Sequence, residues 1–470
     1  MRYISTRGEA PELGFEDALL TGLARDGGLY VPKAWPRLEP ETIAAFAGKP
    51  FADVAASILG LFAGGGITHA ELLAITRDAY GRFDHPAVTP LVQTGSNDWV
   101  LELFHGPTLA FKDVAMQVVA RLMDRVLSAR NARVTVVGAT SGDTGGAAIE
   151  AFRGSKRVDA VILFPNGRVS DVQRRMMTTA TEANVNAVAI DGTFDDCQAL
   201  LKAMFNDLAF RDRVKLAGVN SINWARVAAQ ITYYFVAAAA LGAPHRAVSF
   251  SVPTGNFGDI FAGYAARRMG LPVERLVIAT NDNDILARTH ATGTYEVRGV
   301  EPTTSPSMDI QVSSNFERYL FEAGNRDAAW VRGRMGALAQ SGRFDLSNAV
   351  LAAMRADFDA ATATGDEVAA CIRRVKTDSG YLLDPHTACA VVASEKALAA
   401  GKAPNVVLAT AHPAKFPEAV EAITGWRPAL PPRFSSLLTD PERITVLPND
   451  LAAIQHFVEE RADASPGAAA

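Results

Sequence analysis

From about residue 89 onward, short apolar runs alternate with longer segments of helical periodicity. That alternation restricts the fold more than any other feature, because neighbouring parallel strands need a long crossover and a helix supplies it. An α/β architecture with a mostly parallel sheet is expected. Residues 134–137, 158–164, 185–190 and 248–252 read as buried strands, and 406–409 as the last clear one. Helices are expected through 147–152, over 224–241 and over 260–269, the second stopped by Gly242 and Pro244. Before this region, residues 1 to about 81 read as a helical unit. Phe15, Leu19, Leu20 and Leu23 form a stripe, residues 27–32 a turn and short strand, and further helices fall around 41–46 and 69–80. Nothing in this unit carries obvious chemistry. The expected division is a mainly helical domain at 1–88 and a catalytic region at 89–470. The latter holds two α/β subdomains, the smaller at about 115–225 and the larger formed by the remainder. Residues 461–470 read as a frayed tail.

Composition limits the possible partners. A chain of 470 residues with 49% hydrophobic and 21% charged residues has ample material for two or three cores. A net charge of −5 offers no basic footprint for nucleic acid and no polybasic patch for a membrane. Cys197, Cys371 and Cys389 are far apart and never form CxxC, which argues against a disulfide framework or zinc cluster and for a reducing compartment. The first twenty residues carry Arg2, Arg7 and Glu9 without an apolar core, unlike a secretory signal, and alanine-rich runs such as 235–241 are too short to span a bilayer. A soluble cytoplasmic protein acting on a small molecule, without a metal, is expected.

Lys112 stands out. Alternation over 99–104 reads as a strand, Gly106 and Pro107 break it, and Met116, Val119, Met123 and Val126 mark the buried face of a following helix. A lysine at that helix entrance, behind Phe111, meets the positive helix end and apolar neighbours. Both lower its pKa and favour a nucleophilic amine able to form a Schiff base. The plain alternative is a surface lysine beside Asp113.

Ligands of open α/β sheets bind beyond the carboxyl ends of the strands, and three loops lie there. In Thr254, Gly255, Asn256, Phe257, Gly258 and Asp259, glycines allow close backbone approach and helix-start amides suit a phosphate. The loop matches neither GxGxxG nor a nucleoside-triphosphate P-loop. In Thr140, Ser141, Gly142, Asp143, Thr144 and Gly145, amides and hydroxyls suit a carboxylate, with Asp143 as an acceptor, although the same residues also make a helix cap. The third loop places Thr410 directly after a strand, ahead of His412 and Lys415. A Schiff-base lysine, a phosphate cradle, a carboxylate cradle and a lone hydroxyl together suit pyridoxal 5′-phosphate.

These motifs resemble the threonine synthases, pyridoxal-phosphate enzymes that convert O-phospho-L-homoserine and water to L-threonine and phosphate. MRYISTRG with DGGLYVP resembles their N-terminal domain, HGPTLAFKD their cofactor-lysine segment, GATSGDTG their substrate loop, PTGNFGD their phosphate loop and LATAHPAKF their ring-nitrogen segment. The resemblance runs nearly end to end, closer to the fungal and bacterial branch than to the plant one. It implies a tryptophan-synthase-β-like (fold type II) arrangement of two open α/β domains with the cofactor between them, and a helical N-terminal domain. It implies Lys112 as the cofactor lysine, Gly255, Asn256, Phe257, Gly258 and Asp259 at the cofactor phosphate, and Thr410 at the pyridine nitrogen. Asn220, Ser221, Asn223 and Arg226 of NSINWAR, with Lys415, are candidates for the substrate phosphate, since a dianion favours cations and amide donors. The branch implies a monomer, with a dimer as the alternative. A serine/threonine dehydratase or phospholyase of the same fold, or a non-catalytic pyridoxal-binding relative, stays open.

Overall fold

The computed structural model describes residues 1–398 and 403–463. Two separate parallel sheets dominate it. In the larger, the order is Phe358–Thr362, Val273–Thr280, Val248–Pro253, Asn405–Ala409, Asp98–Glu102 and Leu91–Gln93, with only the last strand antiparallel to its neighbour. The smaller runs Thr445–Pro448, Val185–Asp191, Val158–Pro165, Val134–Ala139 and Leu216–Ala217, all parallel. Every residue of Val158–Pro165 is buried, as expected for a strand covered by helices on both faces, and this is why it reads as an apolar run from Ala160 on.

The chain leaves the larger sheet after Glu102, builds four strands of the smaller one, returns at Val248 and finally crosses back at Thr445. That last crossing adds a strand beyond residues 406–409, the last clear one in the sequence. Thr445–Pro448 is short and half exposed at a sheet edge, so it lacks the apolar signature of its neighbours. The helix Leu451–Asp463 then lays Ile454, Phe457 and Val458 on Val188, Leu200 and Leu201. Part of the expected frayed tail is thus helix, and residues 464–470 lie outside the described residues.

In the N-terminal unit, Tyr3–Ser5 pairs with Tyr30–Pro32. The helix Phe51–Ala63, absent from the sequence expectation, packs on His69–Tyr80 and on the long helix Trp224–Ala240. Nine of its 13 residues are buried, and only a narrow stripe at Asp53 and Ser57 is polar, so it gives little sign of its boundaries in the sequence. Thr68 and Glu71 start the next helix with a reciprocal capping box. Among the described residues no helix is long and apolar enough to cross a membrane.

Candidate active site

Adjacent strands of the larger sheet set the lysine in place. Asp98–Glu102 and Asn405–Ala409 run side by side, and the segments that follow stay stitched together. Phe111 N–H donates to the Thr410 carbonyl at 2.9 Å and His412 N–H to that of Leu109 at 3.0 Å. Between them Thr108 donates its amide and hydroxyl to the buried carboxylate of Asp113, closing the turn. Gly106 is required there, since a Cβ would stand 2.4 Å from that of Asp113. Lys112 is the first residue of the helix Lys112–Ala129 and only 9% exposed. This sets aside the surface-lysine alternative. Burial pushes its pKa below the ordinary lysine value; Asp143 opposes this, and Lys415 and Arg226 add to it.

A cavity of about 1250 Å³ opens at the carboxyl ends of strands from both sheets, with Lys112, Thr410 and Thr254 through Asp259 in its wall. The phosphate-type loop presents amides because its carbonyls are engaged elsewhere. Ser313 Oγ donates to the Gly255 carbonyl at 2.6 Å, and both the N–H and the side chain of Asn315 donate to that of Asn256 at 3.0 Å. Phe257 is left-handed at φ 61°, and the helix Gly258–Arg268 starts after it with first-turn amides that have no intrahelical acceptor. A Cβ on Gly255 would stand 2.7 Å from the Ser307 carbonyl. The expectation for Asp259 needs correction. Only its backbone belongs to this loop, because its carboxylate is buried and accepts from the hydroxyls of Tyr233 and Tyr234. Burial pushes it up to about 6 against those donors.

The loop at 140–145 is also used differently from the expectation. Thr140, Ser141 and Thr144 line the cavity, and Thr140 Oγ1 also accepts from the amides of Gly142 and Gly145 and so builds the loop itself. Gly142, at φ 137°, gives close approach to Gln173. The Asp143 carboxylate is fully engaged by protein groups. Oδ2 takes Lys112 Nζ at 3.1 Å and Ser307 Oγ at 3.0 Å, while Oδ1 takes Lys415 Nζ and Gln173 Nε2, each at 2.9 Å. Burial pushes this carboxyl up, but the two lysines hold it well below the usual range.

The NSINWAR segment divides. Asn220, Ser221 and Arg226 line the cavity. Among the described residues, Asn220 Oδ1 and Arg226 Nε are buried without a partner. The Arg226 guanidinium makes one hydrogen bond among the described residues, to the Val219 carbonyl at 3.0 Å, and burial lowers it to about 10. Asn223 is a correction: its oxygen caps the helix Trp224–Ala240 at Ala225, and its amide donates to the carbonyls of Leu19 and Gly218. Lys415 is another. It is 1% exposed and donates to Asp143 and to the Thr108 carbonyl at 2.7 Å, so it does not reach the cavity.

Residues 2–80 match the family described as "Threonine synthase N terminus", 387–458 match "Threonine synthase, C-terminal" and 83–411 match "Pyridoxal-phosphate dependent enzyme". The threonine synthase of Pseudomonas aeruginosa is 52% identical over 461 residues, with 98% of each chain covered. The chain belongs to the threonine synthase family. The crystal structure of pyridoxal-phosphate-bound threonine synthase from Brucella melitensis superposes with a TM-score of 0.95 at 60% identity, covering 99% of this chain and all of that one. The Escherichia coli threonine synthase structure does so at 0.85 and 34% identity, covering 98% and 100%. With the family comes the fold type II architecture and the pyridoxal-phosphate cofactor.

The residues present fit that cofactor: a buried amine at the cavity wall, a helix start whose glycine leaves no room for a side chain, and a hydroxyl at the end of a strand. Other residues at the cavity wall carry no clear signal in the sequence. Ser307 bridges toward Lys112 and Asp143. Its amide donates to His386 Nε2 at 3.2 Å, while His386 Nδ1 pairs with Asp384 at 2.7 Å. The Asp-Pro-His-Thr start of an apolar helix is the one local signal for this pair. Arg7 of the N-terminal unit also lines the cavity and pairs with Glu317 at 2.9 Å. A lone arginine in a mainly helical segment gives no such signal.

Proposed function

We propose that this chain converts O-phospho-L-homoserine and water to L-threonine and phosphate, the reaction of its family, with the cofactor on Lys112. One observation carries the choice over a dehydratase of the same fold. The cavity offers two separate anion-receptive places, the amides at Gly255 to Gly258 and the buried Arg226 beside Asn220. Beside the carboxylate loop at 140–145, which any amino-acid substrate uses, a dehydratase needs only the first. A substrate that brings its own phosphate needs both.

In this reading the amides of Gly255, Asn256, Phe257 and Gly258 hold the cofactor phosphate, and Thr410 meets the ring nitrogen. Ser141 and Thr144 hold the substrate carboxylate, and Arg226, Asn220 and Ser221 its phosphate. Bound pyridoxal phosphate supplies the electron sink for charge at the substrate α-carbon. The chain supplies the rest. Lys112, with its lowered pKa, is suited to take the α-proton on Nζ. Thr410 offers a neutral hydroxyl where a carboxylate would favour ring protonation. Arg226 gains its missing partner when the phosphate arrives, a charge-assisted pairing strengthened by burial.

The three free, buried cysteines support a reducing, cytoplasmic setting, and a monomer is proposed for solution. The division into 1–88, a small subdomain near 115–225 and a large remainder is kept, with Thr445–Pro448 added to the small sheet. The test is phosphate release from O-phosphohomoserine with the amino-acid product identified. Threonine is expected, and 2-oxobutyrate would move the chain to the eliminating dehydratases or phospholyases of the same fold.

A further inference from the structure

Two lysines from distant parts of the chain converge on one carboxylate. Lys112 and Lys415 reach opposite oxygens of Asp143, at 3.1 and 2.9 Å, and all three residues are buried. Their surroundings are unequal. Lys415 is 1% exposed and donates to the Thr108 carbonyl as well, so its ammonium has two fixed acceptors. Its own backbone is held: its N–H donates to the His412 carbonyl, and its carbonyl accepts from Ser170 Oγ. Lys112 faces the cavity and shares its carboxylate oxygen with Ser307.

We propose that Lys415 is a positioning residue for the chemistry at Lys112. By occupying one oxygen of Asp143, it leaves Lys112 without a whole counter-charge and enlarges the fraction of neutral, nucleophilic amine. A single carboxylate balances one ammonium, and a second nearby cation disfavours protonation of the more weakly held amine. Other charged groups stand around Lys112. Arg226, on Trp224–Ala240, adds in the same direction. Asp259, on Gly258–Arg268, faces Tyr233 and Tyr234. His386, at the start of Pro385–Ala397, faces Asp384 and accepts from the Ser307 amide. Asp113, on the lysine's own helix, is engaged by Thr108. None of these supplies Lys112 with a second carboxylate contact. The lowered pKa of Lys112, to which Lys415 contributes, agrees with the geometry.

This inference rests on the reading of Lys112 as the working amine, but its test does not require the cofactor. In the full chain freed of cofactor, brief acetylation by acetic anhydride across a pH series, with the Lys112 peptide quantified, gives the midpoint of that amine. Lys415→Gln keeps a donor and removes the charge. Its midpoint should rise by about one pH unit, an approximately tenfold fall in neutral amine well below the midpoint. Lys415→Arg keeps the charge and should stay close to the parent protein. Asp143→Asn, made separately, should lower the midpoint. The visible absorbance of the holoenzyme, titrated with pH, should move in the same direction as each variant. An unchanged midpoint in Lys415→Gln, an equal shift in Lys415→Arg, or an unchanged or raised midpoint in Asp143→Asn would each overturn the proposal. Whether Lys112 carries the cofactor is decided separately by reduction and mapping, so the two claims can fail independently.

Discussion

Thr108 gives both its amide and its hydroxyl to Asp113, at 2.7 and 2.6 Å, and this pair closes the turn from which Lys112 enters the cavity. Asp113→Ala removes both acceptors and leaves a buried N–H unpaired, a cost of about 1–3 kcal/mol. Thr108→Val loses only the hydroxyl bond, so its cost should be nearer 1 kcal/mol. Urea unfolding of the two variants checks the order. A Thr108→Val variant as unstable as Asp113→Ala would show that the amide bond contributes little.

The phosphate loop makes an asymmetric prediction. A Cβ at Gly255 would stand 2.7 Å from the Ser307 carbonyl, an overlap, whereas one at Gly258 would lie 3.3 Å from the Asn315 side chain, tight but short of a clash. Gly255→Ala should therefore lose bound cofactor on dialysis while Gly258→Ala retains much more. Cofactor content by absorbance measures both. Equal retention would place the phosphate elsewhere.

Among the described residues Arg226 is a buried cation with no carboxylate partner, so its removal separates stability from function. Arg226→Met should unfold at the same temperature as the parent or higher, because an uncompensated charge leaves the interior. The same change should lower kcat/KM for O-phosphohomoserine by about 10- to 100-fold or more, the worth of a hydrogen bond to a charged group. Cofactor content should not change. Unaltered kinetics would remove Arg226 from the substrate site.

Asp259 ties stability to pH with a definite sign. Its pKa is raised by burial from 3.8 to about 6 in the folded chain, so the folded state binds the proton more tightly than the unfolded one. The stabilisation is full below about pH 4 and is lost as pH rises through 6. Asp259→Asn lacks this dependence. The stability difference, parent minus variant, should fall by about 2 kcal/mol between pH 4 and pH 7. Denaturant titrations at the two pH values measure it, and a constant or growing difference contradicts the assignment.

What the sequence shows depends on how local each feature is. Lys112 at a helix start and the glycines around Asn256 are legible because strand, break and helix follow one another directly in the chain. Asp143 and Lys415 were legible as polar loop residues but not as partners, since their meeting depends on how two sheets face each other. Asn223 was misassigned because a helix cap and a phosphate ligand ask for the same residue type, and only the carbonyls of Leu19 and Gly218 distinguish them. The edge strand Thr445–Pro448 carries too little apolar character to announce itself.

The most direct measurement is borohydride reduction of the holoenzyme followed by digestion and peptide mapping. The pyridoxyl group should be found on Lys112, in the peptide that joins Phe111 to Asp113. Recovery of the label on Lys415 or any other lysine would contradict the account at its centre.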